Sequence, residues 1–338
     1  MPGETPASPI RTTLASLVRM SAEGTPFACL TCYDAMTARW LARGGVHVLL
    51  VGDTAAEMVL GLSRTIDMPL EVLIALTAGV KRGTIASGNE TVVMGDMPFM
   101  SYQASDAEAI RSAGRFLTQG LADIVKLEVD ASFAPLIRKL TRAGIPVCAH
   151  IGSKPQHIAL TSGYASAGRT AAEARRIIDD AVTLERAGAK MLLVEAVPAE
   201  VTRAILDATT VPLIGIGAGT DCHGQVLVLQ DLVGMTDHPP RFAEPAAKLG
   251  RSFEDAAREW VARVGSRRIG GQSYAMRAGE IEKLAADGFP SVRKGPVSNP
   301  SAPAAPAGAP PAPAASAPPA AAPSPTVPRP GVPGSHPA

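Results

Sequence analysis

Five apolar runs in this chain end in side chains that can hold a cation or move a proton. They read Val46-His-Val-Leu-Leu-Val-Gly-Asp53, Thr91-Val-Val-Met-Gly-Asp96, Ile124-Val-Lys126-Leu-Glu128, Pro146-Val-Cys-Ala-His150 and Met191-Leu-Leu-Val-Glu195. Asp53 and Asp96 each stand just beyond a glycine, and two such carboxylates suit a hard divalent cation such as Mg2+, which takes carboxylate and water oxygens. Lys126 and Glu128 are two apart, so in a strand both point to one face. Inside a core these charges must be paired or metal-bound, because an isolated buried charge is prohibitively costly; a structural ion pair and a catalytic one both satisfy that demand. Glu195 follows apolar residues and precedes Ala196-Val-Pro198, a poorly solvated setting that raises a carboxyl toward values useful for a general base. His150 stands before a polar turn, placed either to orient a neighbour by hydrogen bonding or to act as an acid.

These residues meet only if the strands carrying them run parallel, so that every ending falls on one edge of the sheet. Short β-rich runs bounded by turn signals predict strands near 27–32, 46–52, 91–95, 124–128, 146–150, 190–195, 212–217 and 226–231. Helical patterns over 35–43, 70–82, 104–119, 133–142, 170–186 and 199–208 separate most of them. Such alternation argues for a parallel sheet with right-handed crossovers, and about eight strands is the number a closed (β/α)8 barrel requires. Glycines after Arg43, Ala143 and Ala187 stand where a helix must stop before the next strand. Farther on, Phe253, Ala257, Trp260, Val261 and Val264 recur at helical spacing, which predicts an amphipathic helix packed on the body. The stretch 267–294 carries a weaker helical pattern.

Composition narrows the function class. The net charge of +1 and pI near 7.7 remove the electrostatic argument for a nucleic-acid partner, leaving small molecules. No apolar run approaches the length of a membrane span and the N-terminus lacks a signal-peptide pattern, so a soluble cytoplasmic protein is expected. Cys29 and Cys32 spell CxxC, but an offset of three in a strand points them to opposite faces, which favours buried structural thiols over redox or zinc chemistry. The run Gly215-Ile-Gly-Ala-Gly219 lacks the last glycine of a dinucleotide loop; close backbone approach to a small substrate accounts for its glycines. Beyond about Pro296 the chain is mostly Pro, Ala, Ser and Gly with no Leu, Ile, Phe, Tyr or Trp, too apolar-poor to fold. The expected division is an extension with a short helix over 1–24, a barrel over 25–290 and a disordered Pro/Ala-rich tail over 296–338.

The strings Val51-Gly-Asp53-Thr54, Gly95-Asp96-Met-Pro-Phe99, Val125-Lys126-Leu-Glu128, His150-Ile-Gly-Ser-Lys-Pro-Gln156, Val194-Glu195-Ala-Val-Pro198 and Ile214-Gly-Ile-Gly-Ala-Gly219, in this order and spacing, resemble the ketopantoate hydroxymethyltransferases. The resemblance runs from about Thr25 to Gly234. It implies an α/β fold, a (β/α)8 TIM barrel of the phosphoenolpyruvate mutase/isocitrate lyase type, usually assembled as a homo-oligomeric decamer. The implied reaction moves a hydroxymethyl group from 5,10-methylenetetrahydrofolate to 3-methyl-2-oxobutanoate through a Mg2+-stabilised enolate, giving 2-dehydropantoate for pantothenate synthesis. By the same resemblance Asp53 and Asp96 would ligate Mg2+ and meet the substrate, with Glu128 reaching the metal through water. Thr54, where the family usually has Ser, and Lys126 would hydrogen-bond the oxo acid, and Glu195 would remove the C3 proton.

The chain departs from the family pattern around these residues. It has Gly61-Leu62-Ser-Arg-Thr65 where Gly-His-Asp-Ser-Thr is typical, Leu76 for a histidine, Ala165 for a lysine, His223 for an aspartate and Gln230 for a histidine, while Tyr164, Gly168 and Arg169 are retained. The departures imply altered substrate or folate contacts. Two rival functions therefore stand beside the first: a folate-independent carbon–carbon lyase or aldolase acting on another 2-oxo acid, and a silent paralogue that binds a metabolite.

Overall fold

The computed structural model describes residues 11–161, 166–271 and 274–289. Eight parallel strands close into a barrel in sequence order: β1 (Phe27–Thr31), β2 (Val48–Val51), β3 (Val92–Asp96), β4 (Ile124–Glu128), β5 (Val147–Gly152), β6 (Met191–Glu195), β7 (Leu213–Ile216) and β8 (Gly224–Leu227). Helices Ala35–Arg43, Leu70–Ser87, Asp106–Thr118, Ala134–Arg142, Ala171–Arg186 and Ala199–Ala208 follow the strands as the apolar periodicity predicts. Side-chain caps begin several of them: Asp34 accepts from the Met36 and Thr37 amides, and Thr170 forms a capping box with Glu173, which satisfies amides a helix start leaves unpaired.

Alternation along the strands sorts the core into two shells. Inward positions Phe27, Cys29, Val48, Leu50, Val92, Met94, Ile124, Cys148, Met191, Leu193 and Ile214 pack together with Leu17, from helix Leu14–Ala22. Outward positions such as Leu49, Val93, Val125, Ala149 and Leu192 pack under the helices. Cys29 and Cys32 fall in different shells, as the strand offset requires, and all four cysteines are free. Gly95 shows why a glycine precedes Asp96. A β-carbon there would lie 2.5 Å from the Phe116 ring, so its absence lets helix Asp106–Thr118 sit against β3.

Three expectations are corrected. The last strand lies at 224–227 rather than 226–231. Gly224 pairs with Phe27, whose ring fills the space of a side chain at 224, and the Leu229 amide is taken by the Thr31 hydroxyl at 2.9 Å, turning the chain out of the sheet. The glycines at 215 and 217 accommodate protein rather than substrate: a β-carbon would stand 2.5 Å from Cys222 Sγ at the first and 2.9 Å from the Phe242 ring at the second. The helix expected at 253–264 forms as Leu249–Gly265, but none of its residues is buried, Phe253 and Trp260 being 56% and 52% exposed. Periodicity establishes an apolar face and leaves open what covers it. Glu280–Ala286 is helical, and the tail beyond 289 lies outside the described residues.

Candidate active site

Strand register turns separate endings into one cluster. Asp96 on β3 is the register partner of Lys126 on β4, and Glu128 on β4 is the partner of His150 on β5. Neighbours in a parallel ladder present side chains on the same face, here the barrel interior. The Lys126 Nζ lies 2.8 Å from Asp96 Oδ1. Asp53, just past β2, donates its amide to Asp96 Oδ2 at 3.0 Å. His150 sits between strands, with Nδ1 3.4 Å from Lys126 Nζ and Nε2 3.4 Å from Glu195 Oε2. An ammonium only donates, so the Lys126 contact makes Nδ1 the acceptor and leaves the Nε2 proton facing Glu195.

Gln156, which no local pattern singled out beyond its place in the string begun by His150, binds this cluster together. Its amide donates to Glu128 Oε2 at 2.8 Å, its Nε2 donates to Asp53 Oδ2 and to the Met97 carbonyl at 3.0 Å each, and its Oε1 accepts the Tyr102 hydroxyl at 2.8 Å. Tyr102 in turn accepts the Glu128 amide at 3.1 Å. Thr54 shares a 2.9 Å hydrogen bond with the Tyr33 hydroxyl. Tyr33, Tyr102 and Gln156 were absent from the sequence-derived site because their roles depend on contacts across 21 to 103 residues.

Burial governs the protonation of the cluster. Asp53, Asp96, Lys126, Glu128 and His150 are all buried. Burial alone would pull the Lys126 ammonium down, but the carboxylates of Asp96, Asp53 and Glu128 outweigh it and hold the lysine charged. Glu128 is pushed well above the ordinary carboxylate range by burial, against the pull of Lys126. His150 is held well below its usual value by burial, reinforced by Lys126 and Lys154, and is neutral at pH 7. Burial raises Glu195 to about 7, opposed by Lys126 and aided by the charge of Asp53.

These groups line a cavity of about 530 Å³. Six carboxylates face it, from Asp53, Glu57, Asp96, Glu128, Glu195 and Asp231, with Lys126 as the single lysine or arginine among the described residues of its wall. The excess negative charge calls for a cation. Glu128 Oε1 is buried without a hydrogen-bond donor and Asp96 Oδ1 meets only the Lys126 ammonium, and although no three His, Cys, Asp or Glu side chains form a complete cage among the described residues, Mg2+ commonly takes one or two carboxylates and keeps its waters. The donor set fits that ion. None of Leu62, Leu76, His223 and Gln230 lines the cavity. His223 is instead engaged beneath the barrel, where its Nδ1 accepts the Leu213 amide at 3.1 Å. Tyr164 and Ala165 lie outside the described residues.

The closed parallel barrel with its charges at the C-terminal rim has the architecture of a (β/α)8 barrel enzyme. The solved structure of 2,3-dimethylmalate lyase, described as a PEP mutase/isocitrate lyase superfamily member, is similar in fold, with a TM-score of 0.50 at 16% identity over 84% of this chain and 98% of that one. The sequence pattern of the ketopantoate hydroxymethyltransferases matches residues 11–271. A 3-methyl-2-oxobutanoate hydroxymethyltransferase of Anaeromyxobacter sp. is 39% identical over 83% of this chain and 94% of its own length, and one from Hyperthermus butylicus is 41% identical over 81% and 94%. The chain belongs to the ketopantoate hydroxymethyltransferase family.

Proposed function

We propose that this chain transfers a hydroxymethyl group from 5,10-methylenetetrahydrofolate to 3-methyl-2-oxobutanoate, giving 2-dehydropantoate and tetrahydrofolate. The observation that carries the reading is Glu195, a carboxyl raised to about 7 that faces the same cavity as Asp53, Asp96, Lys126 and Glu128. A 2-oxo acid needs negative charge stabilised at its carbonyl oxygen and a base beside the adjacent carbon. Asp53 and Asp96 would hold Mg2+ directly, with Glu128 behind a water, and the ion would supply Lewis-acid stabilisation of that oxygen.

The chain's own residues do the rest. Lys126, kept charged by its carboxylate neighbours, draws the substrate carboxylate or carbonyl into hydrogen-bond range, and Thr54, fixed by Tyr33, adds a second contact. Glu195 removes the C3 proton, and the Nε2–H of His150 holds its carboxylate in place. Water adds to the folate methylene carbon, whose two bonds to the folate nitrogens break as those nitrogens take up the two water protons; C3 then bonds to this carbon at the formaldehyde level, and its oxygen, which came from water, takes back the proton held by Glu195 and becomes the new hydroxyl. Gln156 keeps Asp53 and Glu128 apart from competing partners and so preorganises the site. No helix among the described residues is long and apolar enough to cross a membrane. The reading places the reaction in the cytoplasm and in a homo-oligomer, for which exposed Met36 and Trp40 offer an apolar face.

The test separates proton abstraction from carbon transfer. With Mg2+ and 3-methyl-2-oxobutanoate in D2O and no folate, NMR should show deuterium entering C3 faster than in buffer, and adding methylenetetrahydrofolate should yield 2-dehydropantoate. Exchange without folate-dependent product would reject this donor; neither exchange nor product would reject the reaction.

A further inference from the structure

Two segments of the rim are joined twice, once inside the cavity and once outside it. Residues 128–130 carry the chain out of β4, and residues 154–156 follow β5, its neighbour in the barrel. On the inner side the Gln156 amide donates to Glu128 Oε2 at 2.8 Å. On the outer side the Lys154 ammonium donates to Asp130 Oδ2 at 3.0 Å. Ser153 and Pro155 line the cavity and Lys154 between them does not, so its side chain leaves the loop on the side away from the chemistry.

Both partners of the outer pair are held before they meet. Asp130 Oδ1 accepts the Ser132 amide at 3.1 Å and the Ser132 hydroxyl at 2.5 Å, which turns Oδ2 toward the lysine. The next amide, that of Ala131, donates to Asp180 Oδ1 at 2.8 Å, on helix Ala171–Arg186. The lysine's own segment is fixed from β6. Gly152 has a φ of +90°, a β-carbon there would stand 2.6 Å from the Glu195 carbonyl oxygen, and the Ser153 amide donates to that carbonyl at 2.9 Å. The Lys154 and Asp130 side chains are 18% and 36% exposed. A fully solvated ion pair contributes little because ordering two free side chains offsets the attraction, and ends already ordered by other contacts escape much of that loss.

The pair holds Gln156 in place. The Gln156 amide fixes Glu128 Oε2 and leaves Oε1, which is buried without a donor, open, while its Nε2 fixes Asp53 Oδ2 at 3.0 Å. Resting on the reading that Mg2+ sits at Asp53, Asp96 and Glu128, we propose that Lys154 and Asp130 are positioning residues for that ion: their pair clamps the segment carrying Gln156 and thereby fixes the carboxylates of Glu128 and Asp53. Neither residue touches metal or substrate. Groups that orient metal ligands from outside govern affinity by about 10- to 100-fold, and a pair acting one contact farther out should govern it by about 3- to 10-fold.

The sign of the effect separates a clamp from a bare charge. By Coulomb's law alone, removing the Lys154 cation would tighten a bound Mg2+ and removing the Asp130 anion would loosen it. Loss of a clamp loosens it in both cases. Calorimetric titration of the full chain with MgCl2 should show Lys154→Met and Asp130→Asn each binding Mg2+ about 3- to 10-fold more weakly than wild type, and the double variant no more weakly than the worse single, all with the wild-type circular dichroism spectrum. Affinity unchanged or tightened in Lys154→Met would overturn the clamp, as would effects that add or cancel in the double variant. A collapsed spectrum in Lys154→Met would overturn it by marking the pair as a requirement of folding. Wild type that takes up no Mg2+ would remove the clamp together with the metal assignment. Wild type whose Mg2+ affinity depends on the pair, but which shows neither exchange at C3 nor product, would sink the proposed reaction and leave the clamp standing.

Discussion

Glu195 should show opposite effects on activity and stability when its charge is removed. Burial raises its carboxyl to about 7, so the ionised fraction that can accept the C3 proton climbs from about a tenth at pH 6 to about nine-tenths at pH 8. Folate-independent exchange should rise roughly tenfold over that interval and then level off. Glu195→Gln should lower the plateau by about 10²- to 10⁴-fold, the usual worth of a positioned base, and erase the rising limb. The stability sign follows from the same shift. A carboxyl with a raised folded-state pKa favours folding fully below its unfolded value near 4.5, and that contribution is lost as pH rises through about 7. Each tenfold change in proton affinity is worth about 1.4 kcal/mol, so the ionised side chain, only 24% exposed, costs the folded state up to about 3 kcal/mol above pH 7. Urea unfolding in the presence of a chelator should therefore find Glu195→Gln more stable than wild type at pH 8, with the difference fading toward pH 5. Equal pH slopes in the two proteins, or an exchange rate flat from pH 6 to 8, would show that Glu195 titrates as an ordinary carboxylate and refute the reasoning.

Asp53→Asn and Asp96→Asn should each reduce turnover by orders of magnitude while leaving the circular dichroism spectrum intact, and wild-type turnover that survives exhaustive chelation would eliminate the metal assignment. Lys126→Met leaves Asp96 buried without its partner at 2.8 Å, which should cost about 3–5 kcal/mol in denaturant unfolding; adding Asp96→Asn should recover part of the loss, and strict additivity of the two changes would disprove the pairing. Removing the chain after Lys294 takes away a stretch without Leu, Ile, Phe, Tyr or Trp, so melting temperature and turnover should stay nearly unchanged. A fall of several degrees would mean that the segment packs.

The charge excess explains how one small rim can hold both an acid-stabilising and a proton-abstracting function. Lys126 sits among Asp96, Asp53 and Glu128, and its charge is held by all three. Glu195 is farther along the ladder, on β6, and is left to titrate near neutrality. Burial raises Asp96 to about 7 as well, against the pull of Lys126, its ion-pair partner at 2.8 Å, so the two carboxyls differ in their partners rather than in the direction of their shift.

Much of this was legible locally. Apolar runs closed by turn signals located seven of the eight strands to within a few residues, because strand burial and helix amphipathicity leave periodic traces in short windows. The same traces put Asp53, Asp96, Lys126, Glu128, His150 and Glu195 at strand ends, and the even spacing of Lys126 and Glu128 placed both inside the barrel. The last strand was misplaced because its start depends on Phe27, nearly two hundred positions away in the chain, filling the space over Gly224. Which charges meet was likewise a matter of register: Asp96 faces Lys126 and Glu128 faces His150 only because β3, β4 and β5 pair as they do, and no single strand encodes its offset from the next. Gln156 and Tyr102 became visible only when the chain closed, since a side-chain amide reaching Asp53 across 103 residues has no local signature. The apolar stripe of helix 249–265 makes the complementary point. Sequence determines that a helix has such a face, whereas its covering depends on surfaces brought near by the rest of the fold or by another molecule, and here the face stays exposed. Residue types and periodicity thus settled the barrel and the kind of chemistry at its rim, and long-range packing decided which atoms touch, because contact geometry belongs to pairs of segments rather than to either one alone.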